Sequence, residues 1–168
     1  MLFLAYGIIA SNSSLEITGS LFAYFFEHGA ISAVDSNVTL VSTSFIRSST
    51  TSGASLFVTN GLTIVRDCKF EEGVAITGGA IRIDNPLPGS VIEHSTFTST
   101  YGARGGAIYL AYGEATISNC TFYDCGAGVG GAIYAFGTDI TIEHCQFTLS
   151  FGKFFASKGL FFHILESS

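Results

Sequence analysis

The chain has 168 residues, of which 48% are apolar and 12% are charged, and its formal net charge at pH 7 is −6. This composition excludes an intrinsically disordered chain, which needs low hydrophobicity and high charge. The seven Lys and Arg residues are too few and too scattered for the basic surface of a nucleic-acid-binding protein. No apolar run reaches the ~20 residues that a membrane-spanning helix needs, so we expect no membrane-spanning segment in this chain.

The first ten residues, 1–10, are apolar but lack the basic start and the small-x-small cleavage pattern of a signal peptide. Gly7 fits the register of the repeats that follow it. We therefore predict a partial first repeat here, with a signal peptide or its remnant as the alternative.

From Leu15 onward, one segment recurs and ends each time in phenylalanine. These phenylalanines follow one another at steps of 23, 25, 27, 25 and 25 residues: Phe22, Phe45, Phe70, Phe97, Phe122 and Phe147. A second segment, Gly-Gly-Ala-Ile, begins eight positions after three of them, at Gly78, Gly105 and Gly130. Weaker copies surround Gly29 and Gly53, and Gly7 and Gly159 resemble the outermost ones.

Both segments alternate apolar and polar residues with a period of two, which is typical of short β-strands. A repeat of this size cannot bury its apolar face alone, so successive repeats must stack. Stacked strands pair in parallel at about 4.8 Å, and equal positions then form columns along the axis. We predict an all-β fold, a right-handed single-stranded parallel β-helix (a solenoid) of roughly seven turns, here called rungs, of about 25 residues each.

The phenylalanine column is predicted to form the core. Cys68, Cys120 and Cys145 each precede one of its members by two residues and should point inward beside it. We expect free thiols, because in-register parallel strands hold their Cβ vectors parallel, which strains a disulfide between Cys120 and Cys145. Cys125 is expected in a turn.

One outward position, directly after each Gly-Gly-Ala-Ile segment, carries Arg82, Tyr109 and Tyr134. On consecutive rungs these side chains would form an amphipathic strip, suited to contacts with a sugar or a protein. Alternatively, the column only stabilises its own sheet.

The bends before the phenylalanines offer the best candidates for catalysis. Glu93 and Glu143 occupy equivalent positions two rungs apart, about 9.6 Å, near the upper limit of the carboxyl separation in inverting glycosidases. His94 and His144 follow them. We favour the alternative that these are solvated residues of the bends.

Three sequons, at Asn12, Asn37 and Asn119, would accept N-glycans if the chain is secreted by a eukaryote. Asn119 is the poorest candidate, because Cys120 beside it should point inward. The sequence contains no Cys-x-x-Cys pair, so we predict neither a zinc site nor any other cofactor.

Residues 148–168 break the period and contain five phenylalanines. We therefore divide the chain into the β-helix repeats, 1–147, and an irregular last rung or C-terminal cap, 148–168. Neither end resembles the natural end of a β-helix. We therefore expect a fragment of a longer repeat protein, in which the neighbouring rungs of the same chain would be the first partners of this segment.

The Gly-Gly-Ala-Ile segments, with Asn-Cys-Thr-Phe ending at Phe122, resemble the repeats of chlamydial polymorphic outer-membrane proteins and of some protist surface proteins. More broadly, residues 15–147 resemble the pectate-lyase-like β-helix class. The resemblance implies a non-catalytic adhesive or structural module, secreted or at the cell surface or outer membrane, whose partner would be a glycan or a host or cell-surface protein. The alternative is a polysaccharide-acting lyase or hydrolase of that class.

Overall fold

The computed structural model describes residues 7–27, 29–157 and 163–165. In chain order the strands are Ile8–Ser11 (β1), Ser14–Thr18 (β2), Leu21–Ala23 (β3), Phe26–Glu27 (β4), Ile31–Val34 (β5), Asn37–Val41 (β6), Ser44–Ile46 (β7), Ser49–Thr50 (β8), Leu56–Thr59 (β9), Thr63–Arg66 (β10), Lys69–Glu71 (β11), Val74–Thr77 (β12), Ile81–Asp84 (β13), Val91–Glu93 (β14), Thr96–Thr98 (β15), Tyr101–Arg104 (β16), Ile108–Ala111 (β17), Glu114–Ser118 (β18), Thr121–Tyr123 (β19), Gly126–Phe136 (β20), Asp139–Glu143 (β21), Gln146–Thr148 (β22), Phe151–Ser157 (β23) and His163–Leu165 (β24).

These strands stack into a parallel β-solenoid. One sheet of seven strands runs β2-β6-β10-β14-β18-β21-β24, and one of six runs β3-β7-β11-β15-β19-β22. An 11-stranded sheet holds the other two columns, because the long strand β20 pairs with both β16 and β17. The predicted all-β coil of stacked repeats is confirmed.

Each rung contains four strands, more than the two or three that the sequence pattern indicates. The additional column is β4-β8-β12-β16, which joins β20. The described strands make about six rungs rather than the predicted seven, because the last copy contributes only β23 and β24 within the described residues. Both extend existing sheets, and Gly159 lies outside the described residues.

The phenylalanine column forms the centre of the core, as predicted. Neighbouring rings stack with centroids 4.8–5.1 Å apart from Phe22 to Phe147. The four inner rings are fully buried: Phe45, Phe70, Phe97 and Phe122. The two outer rings differ from the prediction, since Phe22 is only partly buried and Phe147 is 37% exposed.

The Gly-Gly pairs are needed for two different reasons, which Gly105 and Gly106 illustrate. Gly105 has a φ of +66°, in the left-handed region that a Cβ disfavours. Gly106 has ordinary φ, but a Cβ there would overlap the carbonyl oxygen of Gly131 on the next rung. The chain therefore turns sharply at the first glycine and packs its backbone against the next rung at the second.

Residues with a left-handed backbone conformation also follow the second strand of each rung, where the chain changes direction. Asp67, His94, Asn119 and His144 all have φ values between 49° and 53° there. Such bends favour short polar side chains that can hydrogen-bond locally. The bend that we predicted at Glu143-His144 is confirmed.

Candidate functional site

The outward strip predicted from the sequence is present in the fold. Arg82 pairs in register with Tyr109, and Tyr109 with Tyr134. The two tyrosine rings stack with centroids 5.2 Å apart, and the Arg82 guanidinium lies 5.2 Å from the Tyr109 ring centroid. All three residues are half-buried, so one end of each side chain remains accessible.

Phe57 extends this strip by one rung and was missed in the sequence. It pairs with Arg82 across β9 and β13, and its ring centroid lies 5.2 Å from the Arg82 guanidinium. Its place 25 residues before Arg82 is the signal that could have found it. We call Phe57, Arg82, Tyr109 and Tyr134 the aromatic strip.

The guanidinium of Arg82 is held by side chains of its own and the preceding rung. Its Nη2 donates to Asp84 Oδ2 at 2.6 Å, and its Nε contacts both oxygens of the same carboxylate. Its Nη1 donates to the hydroxyls of Ser52 and Thr77 at 3.0 and 3.1 Å. Because these bonds occupy its donors and two rings cover its faces, Arg82 orders the strip.

No described residue forms a hydrogen bond with the hydroxyls of Tyr109 and Tyr134, which are therefore the free polar groups of the aromatic strip within the described part of the chain. Burial raises the pKa of the Tyr109 hydroxyl, which stays protonated and able to donate at neutral pH. Arg104, on the neighbouring strand β16, is exposed and makes no ion pair with any described residue. Tyr109 lies within its electrostatic reach, so a free positive charge borders the strip.

The second candidate group lies at the carboxyl ends of strands in the seven-stranded sheet, because Glu93 ends β14 and Glu143 ends β21. Glu93 pairs in register with Ser118, and Ser118 with Glu143, so the two carboxylates are two rungs apart as predicted. Glu93 forms an ion pair with Arg66. The structure thus gives one of the two carboxylates a cationic partner.

The histidines next to these carboxylates, His94 and His144, are exposed at left-handed bends. Asn119 lies between them, at the same position of the intervening rung. Among the described residues, no hydrogen bond joins either imidazole to Glu93 or Glu143. Within residues 7–27, 29–157 and 163–165, no three His, Cys, Asp or Glu side chains are grouped as metal ligands.

All four cysteines are free thiols in the structure. Cys68 and Cys120 are each 1% exposed, and Cys145 is half-buried, in agreement with their predicted inward direction. Cys125 lies in the turn before β20, as predicted. Its side chain is nevertheless 0% exposed, because it points into the core, where Thr100 Oγ1 donates to its Sγ at 3.2 Å. Burial raises the pKa of both Cys68 and Cys125.

The three sequon asparagines are exposed. Asn12 and Asn119 lie at left-handed bends, and the Asn37 side-chain oxygen accepts a hydrogen bond from the Leu62 amide at 3.0 Å. Cys120, beside Asn119, points into the core as expected. The structure therefore presents all three side chains to solvent.

Two outward columns of the surface were not predicted. Asn85 donates to Asn60, and Asn60 to Asp35, each at 2.9 Å. These residues recur every 25 positions, a spacing from which the column could have been predicted. On the opposite edge Arg47 pairs with Glu72 at 2.6 Å, and both columns link successive rungs through polar side chains.

A search of the described residues found no helix that is long and apolar enough to span a membrane. The chain matches none of the curated proteins and none of the solved structures with which it was compared. A family model described as the right handed beta helix region matches residues 6–161, which include the described rungs and the aromatic strip. The chain belongs to the right-handed β-helix family.

Proposed function

We propose that this chain is a non-catalytic, surface-exposed β-helix module that binds a glycan or a cell-surface protein through the aromatic strip. The observation that carries the proposal is the unbroken contact of Phe57, Arg82, Tyr109 and Tyr134 over consecutive rungs. Four half-buried side chains in register form a surface that is apolar along its edges and polar at its hydroxyls. Such amphipathic aromatic surfaces are enriched where proteins bind their partners.

The way the rings stack indicates how a ligand would be held. Each ring covers a face of its neighbour, so a ligand meets ring edges and the phenolic hydroxyls rather than open faces. Tyr109 and Tyr134 thereby offer two hydrogen-bonding groups one rung apart, about 4.8 Å. A partner with hydroxyl or carbonyl groups at a similar repeat would bond to both at once.

The rigidity of the aromatic strip in the free protein supports a binding role for its residues. The bonds from Arg82 to Asp84, Ser52 and Thr77 fix the centre of the strip before any ligand arrives. A group that is ordered in the free protein loses little conformational entropy on binding. This arrangement favours recognition by a fixed surface.

The location at a cell surface or outside the cell is part of the proposal. It is supported by the Gly-Gly-Ala-Ile repeats, which resemble those of chlamydial polymorphic outer-membrane proteins. A low charged fraction of 12% and a stack of rungs that holds side chains in fixed columns also suit an adhesive or structural rod.

The test is a pair of double variants compared in binding to cells and to immobilised glycans. Tyr109→Ser with Tyr134→Ser removes rings and hydroxyls and should abolish binding, whereas Tyr109→Phe with Tyr134→Phe keeps the stack and should weaken it. The control is Tyr112→Ser with Tyr123→Ser, two exposed tyrosines outside the strip, which should bind normally. Unchanged binding by the serine double variant would refute the proposed site.

The alternative function is cleavage of a polysaccharide with Glu93 and Glu143, assisted by His94 and His144. Their shared column favours it, because it brings two carboxylates to one edge of a sheet. The ion pair between Arg66 and Glu93 counts against a free acid or base at that position. Release of reducing or unsaturated ends that disappears in Glu93→Gln with Glu143→Gln would establish this alternative over the binding module.

A further inference from the structure

We propose that Cys120 and Cys145 form an oxidation site, at which a small disulfide converts the two thiols into an intramolecular disulfide bond between neighbouring rungs. The inference rests on the register of the strands around the two residues. It is independent of the ligand that the aromatic strip binds.

The two cysteines occupy the same position of adjacent rungs. The residues before and after them pair in register, Ser118 with Glu143 and Thr121 with Gln146, and the Gln146 amide donates to the Cys120 carbonyl oxygen at 2.9 Å. Parallel neighbours at this spacing have Cα atoms about 4.8 Å apart, within the 4.4–6.8 Å range of disulfides. The parallel Cβ atoms also start about 4.8 Å apart, so closing the bond requires them to approach by roughly 0.3–1 Å, and this is the source of the strain.

Both thiols point into the same narrow space beside the phenylalanine column. Cys120 Sγ lies 3.2 Å from the Ser118 carbonyl oxygen, and Cys145 Sγ lies 3.3 Å from that of Glu143. Cys145 Sγ also reaches back to the Ile117 carbonyl oxygen of the Cys120 rung, at 3.7 Å. Cys120 Sγ makes the equivalent contact with the Ile92 carbonyl oxygen of the rung before it, at 3.6 Å. The two thiols therefore lean in the same direction, and Cys145 Sγ leans toward the rung of Cys120.

The other cysteines have no such neighbour, which makes the site selective. The residues level with Cys68 are Thr43 and Ser95, and those level with Cys125 are Thr100 and Ser150. Cys68 and Cys120 are two rungs apart, about 9.6 Å, beyond the reach of a disulfide. Among the described cysteines, only one pair is on adjacent rungs in the same column.

The two thiols differ in access and acidity, which sets the order of the steps. Cys145 is half-buried, and its interaction with the Cys120 thiol lowers its pKa. Cys120 is 1% exposed, and the same interaction together with burial raises its pKa. An oxidant should therefore meet Cys145 first, since the thiolate is the nucleophile.

With glutathione disulfide the reaction balances in two exchanges. The Cys145 thiolate attacks one glutathione sulfur, forms a mixed disulfide and releases one glutathione thiolate. Cys120 then loses its proton to solvent and attacks Cys145 Sγ, which breaks the mixed bond and releases the second glutathione. Two protein thiols are oxidised and one glutathione disulfide is reduced to two thiols.

The test treats the folded full chain with glutathione disulfide, then unfolds it in denaturant, blocks the remaining thiols by alkylation and maps the peptides by mass. Cleavage after Asp and Glu places Cys120, Cys125 and Cys145 on separate peptides, because it cuts at Asp124, Asp139 and Glu143. We expect one cross-linked pair, Cys120 with Cys145, and alkylated Cys68 and Cys125. A different pair, a glutathione adduct without a cross-link, or no oxidation would overturn the proposal.

Three serine variants separate the roles of the thiols. In Cys120→Ser the Cys145 thiol should stop at the glutathione adduct, and in Cys145→Ser the buried Cys120 should stay reduced. Cys68→Ser is the matched control and should form the cross-link to the same extent as the parent chain. Equal glutathione labelling of Cys120 and Cys145 in the single variants would contradict the proposed order.

Discussion

The guanidinium of Arg82 lies 5.2 Å from the centroid of the Tyr109 ring on the next rung. The same group also contacts the Phe57 ring on the rung before and forms an ion pair with Asp84. Its side chain is 26% exposed, so these interactions are less screened by water than those of a fully exposed ion pair. One arginine therefore connects three rungs of the solenoid on its outer face.

Replacing Arg82 with Lys should destabilise the fold, although the charge is kept. Lysine lacks the planar fork that bonds to Asp84 in two places and the flat surface that stacks between the rings. We expect the free energy of unfolding to fall by about 1.5–3 kcal/mol, the range for hydrogen bonds to charged groups. Urea-induced unfolding of both proteins, followed by circular dichroism, measures this difference.

Arg47 provides the matched control for that substitution. Its ion pair with Glu72 is 52% exposed on both sides, and such exposed pairs contribute little to stability because water screens them. Arg47→Lys should therefore unfold at nearly the same urea concentration as the parent chain. A loss equal to that of Arg82→Lys would mean that stacking and burial do not distinguish the two arginines.

Phe97→Ala should be among the most destabilising substitutions. Phe97 is 0% exposed and its ring lies between those of Phe70 and Phe122, at centroid distances of 4.9 and 4.8 Å. Truncation leaves a cavity in the middle of the column, which costs ~3–5 kcal/mol for a buried phenylalanine. Phe147→Ala removes the same atoms where the ring is 37% exposed, so it should cost clearly less. Equal losses in urea unfolding would show that the column does not act as a closed core.

The repeats could be predicted because equivalent positions in successive rungs of a solenoid carry similar residues at a fixed spacing in the sequence. Phe97 and Phe122 are 25 residues apart and lie in contact, so a periodic residue becomes a column. The sharp turn at Gly105-Gly106 could also be predicted from the sequence. Few other residues tolerate a left-handed φ at the first position and close contact with another backbone at the second. For the same reason the strip of Arg82, Tyr109 and Tyr134 was predicted residue by residue.

The fourth strand of each rung could not be predicted from periodicity. In β16 Tyr101, Ala103 and Arg104 are all exposed and only Gly102 is half-buried, so no buried apolar face marks this strand in the sequence. The ion pair at the candidate catalytic carboxylate Glu93 could not be predicted from the sequence for a different reason. The pairing of Arg66 with Glu93 depends on two residues 27 positions apart, and nothing in either segment alone indicates that charge is neutralised there.

Gly106→Ala should disturb the contact between two rungs. A Cβ at this position would overlap the Gly131 carbonyl oxygen and would lie 2.7 Å from the Gly126 amide nitrogen, and backbone cannot move aside as a side chain can. We expect a loss of at least ~3 kcal/mol, the upper end for overpacked sites. Thermal unfolding of the purified variant provides the measurement.

Gly128→Ala is the control for that steric effect. Its nearest neighbour to a new Cβ is the Ala103 carbonyl oxygen at 3.3 Å, and its φ is not in the left-handed region. The added methyl group also reduces the entropy of the unfolded chain, which offsets a small clash. This variant should unfold within a few degrees of the parent chain. A large drop here and none in Gly106→Ala would contradict the packing that the structure assigns to the Gly-Gly pairs.

The stability of the reduced protein should fall as the pH rises above the ordinary pKa of a thiol. Burial raises the pKa of Cys68 above its usual 9.0, so the folded chain keeps a proton there that the unfolded chain releases. A group whose pKa is raised by folding contributes its full stabilisation below the unfolded pKa and loses it as the pH rises toward the folded value. The loss per thiol is at most ~1.4 kcal/mol for each pH unit above the unfolded pKa. Urea unfolding in the presence of reductant between about pH 8 and pH 10 measures it, and Cys68→Ala should make the decline shallower. An equally steep decline in that variant would show that the Cys68 thiol does not titrate on unfolding, and its burial beside the phenylalanine column would then be in error.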